Sequence, residues 1–523
     1  MHGVIDRMSN HTQDNSLKRI YIYLFLFSVL ANLLVSGGRL TATDELEVYL
    51  TTESIVERGE LAISLESVKN LLVGRGGKTY YGAGIAQWAL SIPLYIGGKL
   101  GADLLGLSEP QRTFAIKAAV SLLNQIFAGL VAVVMFAFGV KLGYSRRLSL
   151  FLTLGLLFTT NLFPYFKSFM REPQLLLYLL AACYYLYVFK LQSKRSSLIL
   201  AGFFCGLGLL TRLTSVITIP VLYFYLLSIL WNREEHIPKF KQLTKGSLAF
   251  GTPILFAIIV NMVYNYVQFE SVIGMPYARA EFTTPVLVGS YGLLFSSGKS
   301  LFLYAPLTIL IFAACSRFRP QFKMELYLFI GLVLVNVFFF AMFEAWAGDG
   351  SWGPRYLIPI LPFLILPIGV LLQSRSLAKR AAIGLAAIGF IIQIGGVSIY
   401  LGNYIREIGE YPYTKEFNDP EFMYKSHFVP NYSPVVGHWR MLVRNAGLAL
   451  SGERPQLTIG DTNSRIPLTK ETQSNLLYTL DFWFMYAWYA GVQPALIIAA
   501  ILVLLALVTA LGVRLVRVVS LSP

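Results

Sequence analysis

Apolar runs of about 20 residues recur along this chain between short polar stretches, and each is long enough to cross a hydrocarbon layer about 30 Å thick. In order, they predict spans at 20–36, 114–140, 148–166, 173–189, 197–211, 214–231, 247–266, 300–315, 325–344, 356–373, 381–401 and 491–513. Two more apolar stretches, 81–101 and 286–298, are interrupted by Gly and Pro and read as interfacial or re-entrant pieces. The expected fold is an all-α polytopic membrane protein with roughly 12 transmembrane helices. A β-barrel is excluded, because its strands alternate in polarity rather than running continuously apolar. The first span follows Lys18 and Arg19 and has no small-residue cleavage site after it, so it reads as a retained anchor.

Composition strengthens this reading. The 523 residues are 55% hydrophobic and 14% charged, with a mean hydropathy of +0.60. Soluble domains carry about 25% charged residues, so a soluble fold and a disordered chain are both excluded. The net charge of +15 raises the question of a nucleic-acid partner. Placing the N-terminus inside assigns 21 of the 43 Lys and Arg, but only five of the 28 acids, to inner segments. Every inner loop then holds a cationic cluster, so orientation accounts for the charge and no nucleic-acid partner is expected. Both termini are expected on the cytoplasmic side of an inner membrane. Cys183, Cys205 and Cys315 all fall in apolar runs, which predicts neither disulfides nor a thiolate metal site.

The outer face receives a long first loop, 37–113, and a polar, Tyr-rich segment, 402–490. Residues 1–401 therefore form a transmembrane core that includes the first loop, 402–490 a small outer segment, and 491–523 a last helix with an inner tail. No internal repeat is visible, which weighs against an inverted-repeat transporter.

Chemistry-bearing residues gather on that outer face. Asp44 and Glu45 follow the first span closely, where a carboxylate can act as general base or simply open a solvated acidic loop. Arg171 and Glu172 stand before Pro173, as a helix-start pair or as a second acid facing the first loop. Arg212 lies in a tight turn between two apolar helices. Its fork suits a lipid phosphate, and snorkelling to headgroups is the plain alternative. Lys78 follows Gly76-Gly77, a weak phosphate-cradle signal. Gly77-Lys78-Thr79 matches the tail of a Walker motif, but Leu72 occupies the position of its first Gly. Arg355 opens the next span within Trp346-Ala347-Gly348-Asp349-Gly350-Ser351-Trp352-Gly353-Pro354-Arg355-Tyr356, whose two Trp and one Tyr fit an interfacial belt or a sugar platform. The five histidines are scattered and support no metal site, whereas an acid-only divalent-metal site at Asp44, Glu45 and Glu172 stays open.

Several segments together resemble the GT-C glycosyltransferases, specifically bacterial family-39-like enzymes similar to protein O-mannosyltransferases and lipid A aminoarabinose transferases. They are Asp44-Glu45 with Tyr49 and Ser54 to Gly59, Tyr81-Gly82-Ala83-Gly84, Arg171-Glu172-Pro173, Gly206 to Arg212, Tyr291 to Lys299, and Trp352 to Leu357. The resemblance runs from about residue 18 to about residue 440. It implies a GT-C bundle, a first outer loop with interfacial helices, a polyprenyl-phosphate sugar donor, and inverting transfer with Asp44 as base. It implies donor-phosphate cations at Lys78 and Arg212, with Arg355 and Lys299 as further candidates. Glu172 stands where the family often has Asp, and its longer side chain reaches differently. No cofactor is expected.

The expected function is therefore transfer of a sugar from a polyprenyl phosphate to a glycan, lipid or protein acceptor at the outer face. Asp44, Glu45 and Glu172 form the catalytic set, and Arg171, Tyr81 and Trp352 position substrate. The alternative is a lipid-linked sugar flippase or other polytopic transporter, which needs a polar path through spans that here are nearly charge-free. A purely structural membrane protein is the third reading.

Overall fold

The computed structural model describes residues 2–63, 71–82, 84–233, 238–273, 281–417, 419–458 and 469–521, with side chains from Asn15 onward apart from Leu71. Residues 64–70, Ala83, 234–237, 274–280 and 459–468 lie outside the described residues, as do the side chains of Asp6, Arg7 and Asp14.

The chain is an integral, multi-pass, almost entirely helical membrane protein. Among the described residues nine helices are long and apolar enough to cross a membrane: Asn15–Leu34, Glu109–Lys141, Glu172–Gln192, Leu213–Trp231, Lys239–Phe269, Lys323–Met342, Arg355–Ser374, Ser376–Ser398 and Pro494–Leu521. The other three stretches in the sequence expectation of twelve are helical but shorter or broken. The 148–166 stretch divides into Arg146–Phe158 and Leu162–Lys167, separated by Thr159 and Thr160, whose hydroxyls donate back to the Gly155 and Leu156 carbonyls. The 300–315 stretch is interrupted at Pro306, and Arg195–Thr211 has 17 residues. The all-α expectation also needs one amendment. The first loop carries an antiparallel hairpin, β1 (Leu71–Val73) and β2 (Thr79–Tyr81).

Five helices, together with the start of the Arg355–Ser374 span, hold the site. The first loop supplies α1 (Thr43–Arg58) and α2 (Ile85–Leu104); the core supplies α3 (Leu162–Lys167), α4 (Glu172–Gln192) and α5 (Arg195–Thr211). α4 is, after Arg355–Ser374, the most enclosed of the candidate spans and packs on α5, which packs in turn on Lys239–Phe269. Gly202 permits that second contact, because a Cβ there would strike the Phe250 carbonyl. Gly84, at the start of α2, does the same against Leu210, and so seats the first loop on the outer end of α5.

The charges segregate to the two ends of the bundle. At the far end of α4, Lys190 pairs with Glu325 at 2.6 Å. At its near end are Arg171 and Glu172, separated from Lys190 by about 30 Å of helix.

Candidate active site

The site is built on the turn between α3 and α4. Asn124 fixes that turn by donating its Nδ2 to the carbonyls of Tyr165 (3.2 Å), Ser168 (2.6 Å) and Met170 (2.7 Å). Glu45 secures it from the other side. Its Oε1 accepts from the Phe169 N–H at 2.7 Å, while Oε2 accepts from Thr41 and Ala42 at 2.8 and 3.0 Å. One carboxylate thus caps α1 and clamps α1 to the turn carrying Arg171 and Glu172. Burial raises the pKa of Glu45 and the three N–H groups oppose the rise.

Asp44 points the other way, into a cluster of guanidinium groups. Its Oδ2 lies 3.5 Å from Arg171 Nη2 and 3.7 Å from Arg355 Nη1. Glu172 Oε1 lies 3.5 Å from Arg212 Nη1 and 3.9 Å from Arg355 Nε. Burial works against ionisation of Asp44, but Arg355, Arg171 and Arg212 outweigh it and leave its pKa lowered. Arg212 follows the last residue of α5, closes that helix through its own N–H to Gly208 (2.9 Å), and lies 4.6 Å over the Tyr356 ring. Tyr356 is stacked on Phe340 at 4.5 Å and receives an Arg355 Nη2 hydrogen bond at 3.2 Å.

Two features make this cluster receptive to an anion. Three guanidinium groups face two carboxylates, and the separations exceed the 2.7–2.9 Å of a well-made charged hydrogen bond. The buried Nε atoms of Arg212 and Arg355 also make no hydrogen bond. Both arginines and Glu172 line a cleft of about 550 Å³ that continues among apolar groups of α4 and α5, including Leu175, Leu179 and Phe204. A charged mouth over an apolar interior is the shape that a phosphate with a hydrocarbon tail requires.

The other sequence-predicted residues lie elsewhere. Lys78 sits on the hairpin, half exposed, paired with Glu60 at 2.9 Å. Lys299 is buried beneath the 345–355 turn and donates Nζ to the carbonyls of Asp349 (2.9 Å) and Ser351. Burial pushes its pKa down to about 7. Trp352 is buried and donates its indole N–H to Gln393 at 2.9 Å. Tyr81 is buried in β2. So the fold brings together Asp44, Arg171, Glu172, Arg212 and Arg355, and gives Glu45, Lys78, Lys299, Tyr81 and Trp352 other surroundings. Among the described residues no group of three or more His, Cys, Asp or Glu is arranged to hold a metal ion.

Tyr356, the tyrosine of the segment read as a belt or sugar platform, floors the cleft under Arg212. Two residues near the site were not singled out from sequence. Glu47, one turn after Asp44, is fully buried, and neither of its carboxylate oxygens has a hydrogen-bond partner. Asp481, from the outer segment, binds both Arg39 (2.8 Å) and Lys167 (2.7 Å), all three being buried. Arg39 and Lys167 together draw the Asp481 pKa far down despite its burial. Only the one-turn spacing of Asp44 and Glu47 was visible beforehand; the partners of Asp481 are hundreds of positions away.

Residues 95–278 match the family model of dolichyl-phosphate-mannose-protein mannosyltransferase. The matched stretch includes Arg171, Glu172 and Arg212. No curated protein matches the sequence. Among solved structures, ArnT from Cupriavidus metallidurans bound to undecaprenyl phosphate is 13% identical, with a TM-score of 0.48 over 88% of this chain and 84% of that one. The apo state of that protein is 14% identical, with a TM-score of 0.45 over the same shares.

Proposed function

We propose, from the premise that this chain is a membrane glycosyltransferase of the dolichyl-phosphate-mannose-protein mannosyltransferase family, that it moves a sugar from a polyprenyl phosphate to an acceptor at the outer face of the membrane. The observation that carries this reading is the buried cluster in which Arg171, Arg212 and Arg355 outnumber Asp44 and Glu172, with the Nε–H groups of Arg212 and Arg355 making no hydrogen bond at the mouth of an apolar cleft.

The donor phosphate binds Arg212 and Arg355, and its prenyl tail follows the apolar cleft between α4 and α5. An acceptor hydroxyl attacks the anomeric carbon from the side opposite the phosphate. The new C–O bond forms as the bond from carbon to phosphate oxygen breaks, and polyprenyl phosphate leaves with that electron pair. The acceptor proton passes to Asp44. The arginines stabilise the charge gathering on the leaving oxygen, so no general acid is needed. Phosphate also competes with Asp44 for the same guanidinium groups. Donor binding therefore loosens their hold on the carboxylate and raises its basicity when the acceptor arrives. Glu172 holds Arg212 and Arg355 in place.

The cationic clusters at the opposite ends of the spans support an inner-membrane orientation with both termini cytoplasmic and the arginine cluster outside. Residues 1–401 form the catalytic core of the GT-C type, 402–490 an outer segment and 491–523 the closing helix. Purified chain in detergent, given polyprenyl-phosphate mannose and a membrane extract, should release polyprenyl phosphate and label an extract component. Failure to consume any polyprenyl-phosphate sugar by a folded sample overturns the reading.

A further inference from the structure

Beyond the 345–355 turn from the arginine cleft lies a second opening, of about 1400 Å³. Its walls are the start of the helix Val286–Phe295, residues 344–349 and the described part of 417–428. Tyr291, Trp346, Phe417, Tyr424 and Phe428 present their rings to it. Glu344, Asp349 and Asp419 supply carboxylates; Lys415 pairs with Asp419 at 3.4 Å, and the charges of Arg355 and Lys299 act on Asp349. His427 is 2% exposed, lines the groove, and its Nε2 has no hydrogen-bond partner. The buried Asp349 Oδ1 has none either. A buried polar atom left without a partner in a lined opening marks a place where a ligand atom belongs.

We infer that this groove is the acceptor subsite of the enzyme and that its occupant is a saccharide. The inference deepens the transferase reading and rests on it. Aromatic faces cover the C–H faces of sugar rings, while carboxylates and an imidazole nitrogen meet ring hydroxyls. An extended peptide is disfavoured. Peptide capture commonly uses a free strand edge, and among the described residues the one sheet is the first-loop hairpin, which does not line the groove. The groove also reaches the chemistry. The turn that carries Asp349 on one wall carries Arg355, 3.7 Å from Asp44, on the other, and Asp349 is close enough for the charges of Arg355 and Asp44 both to act on it.

The test uses the purified full chain on an array of neutral, amine-bearing and phosphorylated oligosaccharides and Ser/Thr-rich peptides, with polyprenyl phosphate binding measured on the same samples. Saccharides should be retained, and peptides should not. Phe417 and Tyr424 are 41% and 52% exposed, so truncating them leaves the core intact. The double variant Phe417→Ala, Tyr424→Ala should weaken saccharide binding roughly tenfold or more. Retention of peptides in place of saccharides, saccharide binding untouched by the double variant, or no saccharide retained by a sample that binds polyprenyl phosphate would each overturn the inference. Saccharide retention by a sample that does not bind polyprenyl phosphate overturns the donor reading instead.

Discussion

Arg355 stands between Asp44 and Glu172, its Nη1 3.7 Å from the first carboxylate and its Nε 3.9 Å from the second. One guanidinium thereby links the first outer loop to the start of α4, and neither carboxylate is paired so tightly that an incoming phosphate could not displace it. Replacing Arg355 by Ala should lower turnover with a polyprenyl-phosphate sugar by about 10²-fold or more, the usual loss for one oriented donor. Arg355→Lys should recover little, since an ammonium cannot span two acids as a planar fork does. Steady-state rates of both variants decide this, and near-normal turnover in either removes Arg355 from the donor site.

Asp44→Asn separates two roles of the same carboxylate. Transfer should fall about 10²-fold or more through loss of the base. Affinity for polyprenyl phosphate should hold or rise, because the amide no longer competes for Arg171 and Arg355. Titration of polyprenyl phosphate against wild type and variant reads the second effect. Weaker binding in the variant would mean that Asp44 assists the phosphate rather than competing with it.

Glu45 behaves differently despite being its neighbour. It accepts three backbone N–H bonds, from Thr41, Ala42 and Phe169. Glu45→Ala strands those donors and should cost several times the roughly 1 kcal/mol of a single hydrogen bond. The loss should appear as a lower melting midpoint in detergent. A variant that melts like wild type yet fails to transfer would return Glu45 to the chemistry.

Glu47 predicts a pH dependence. Its burial, with Asp44 on the same helix adding to it and Arg171 opposing, pushes its pKa up to about 8 from 4.5. Between those values the folded chain holds a proton that the unfolded chain has released, so stability falls as pH rises through the window. Glu47→Gln copies the protonated shape and should flatten that fall. Melting midpoints from pH 5 to pH 8 should therefore converge for the variant and diverge for wild type, and parallel curves would show that the site holds no proton.

The charges at span ends were the legible part of the site. Asp44, Arg171, Glu172, Arg212 and Arg355 each stand at a position where an ion is expensive beside apolar helices, so each demanded a partner, and the fold supplies them to one another. Lys78 and Lys299 made the same demand and found it met elsewhere. Glu60 lies 18 residues before Lys78, and the carbonyls that receive Lys299 lie about 50 residues after it. Nothing local distinguishes a cation awaiting a ligand from one satisfied by a distant turn. The bundle was legible because each span carries its own apolar signal. The breaks at Thr159–Thr160 and Pro306 were less so, since side chains that donate back to their own helix leave average hydropathy unchanged.

The join of Asp481 to Arg39 and Lys167 sets an order of assembly. Residue 39 is made 442 residues before residue 481, yet the two buried cations rely on that later acid for neutralisation. Before it arrives, Glu45 already ties α1 to the turn after α3, while the cations beside that turn still lack their acid. A growing chain therefore holds every ingredient of the active centre well before the charges at its edge are balanced.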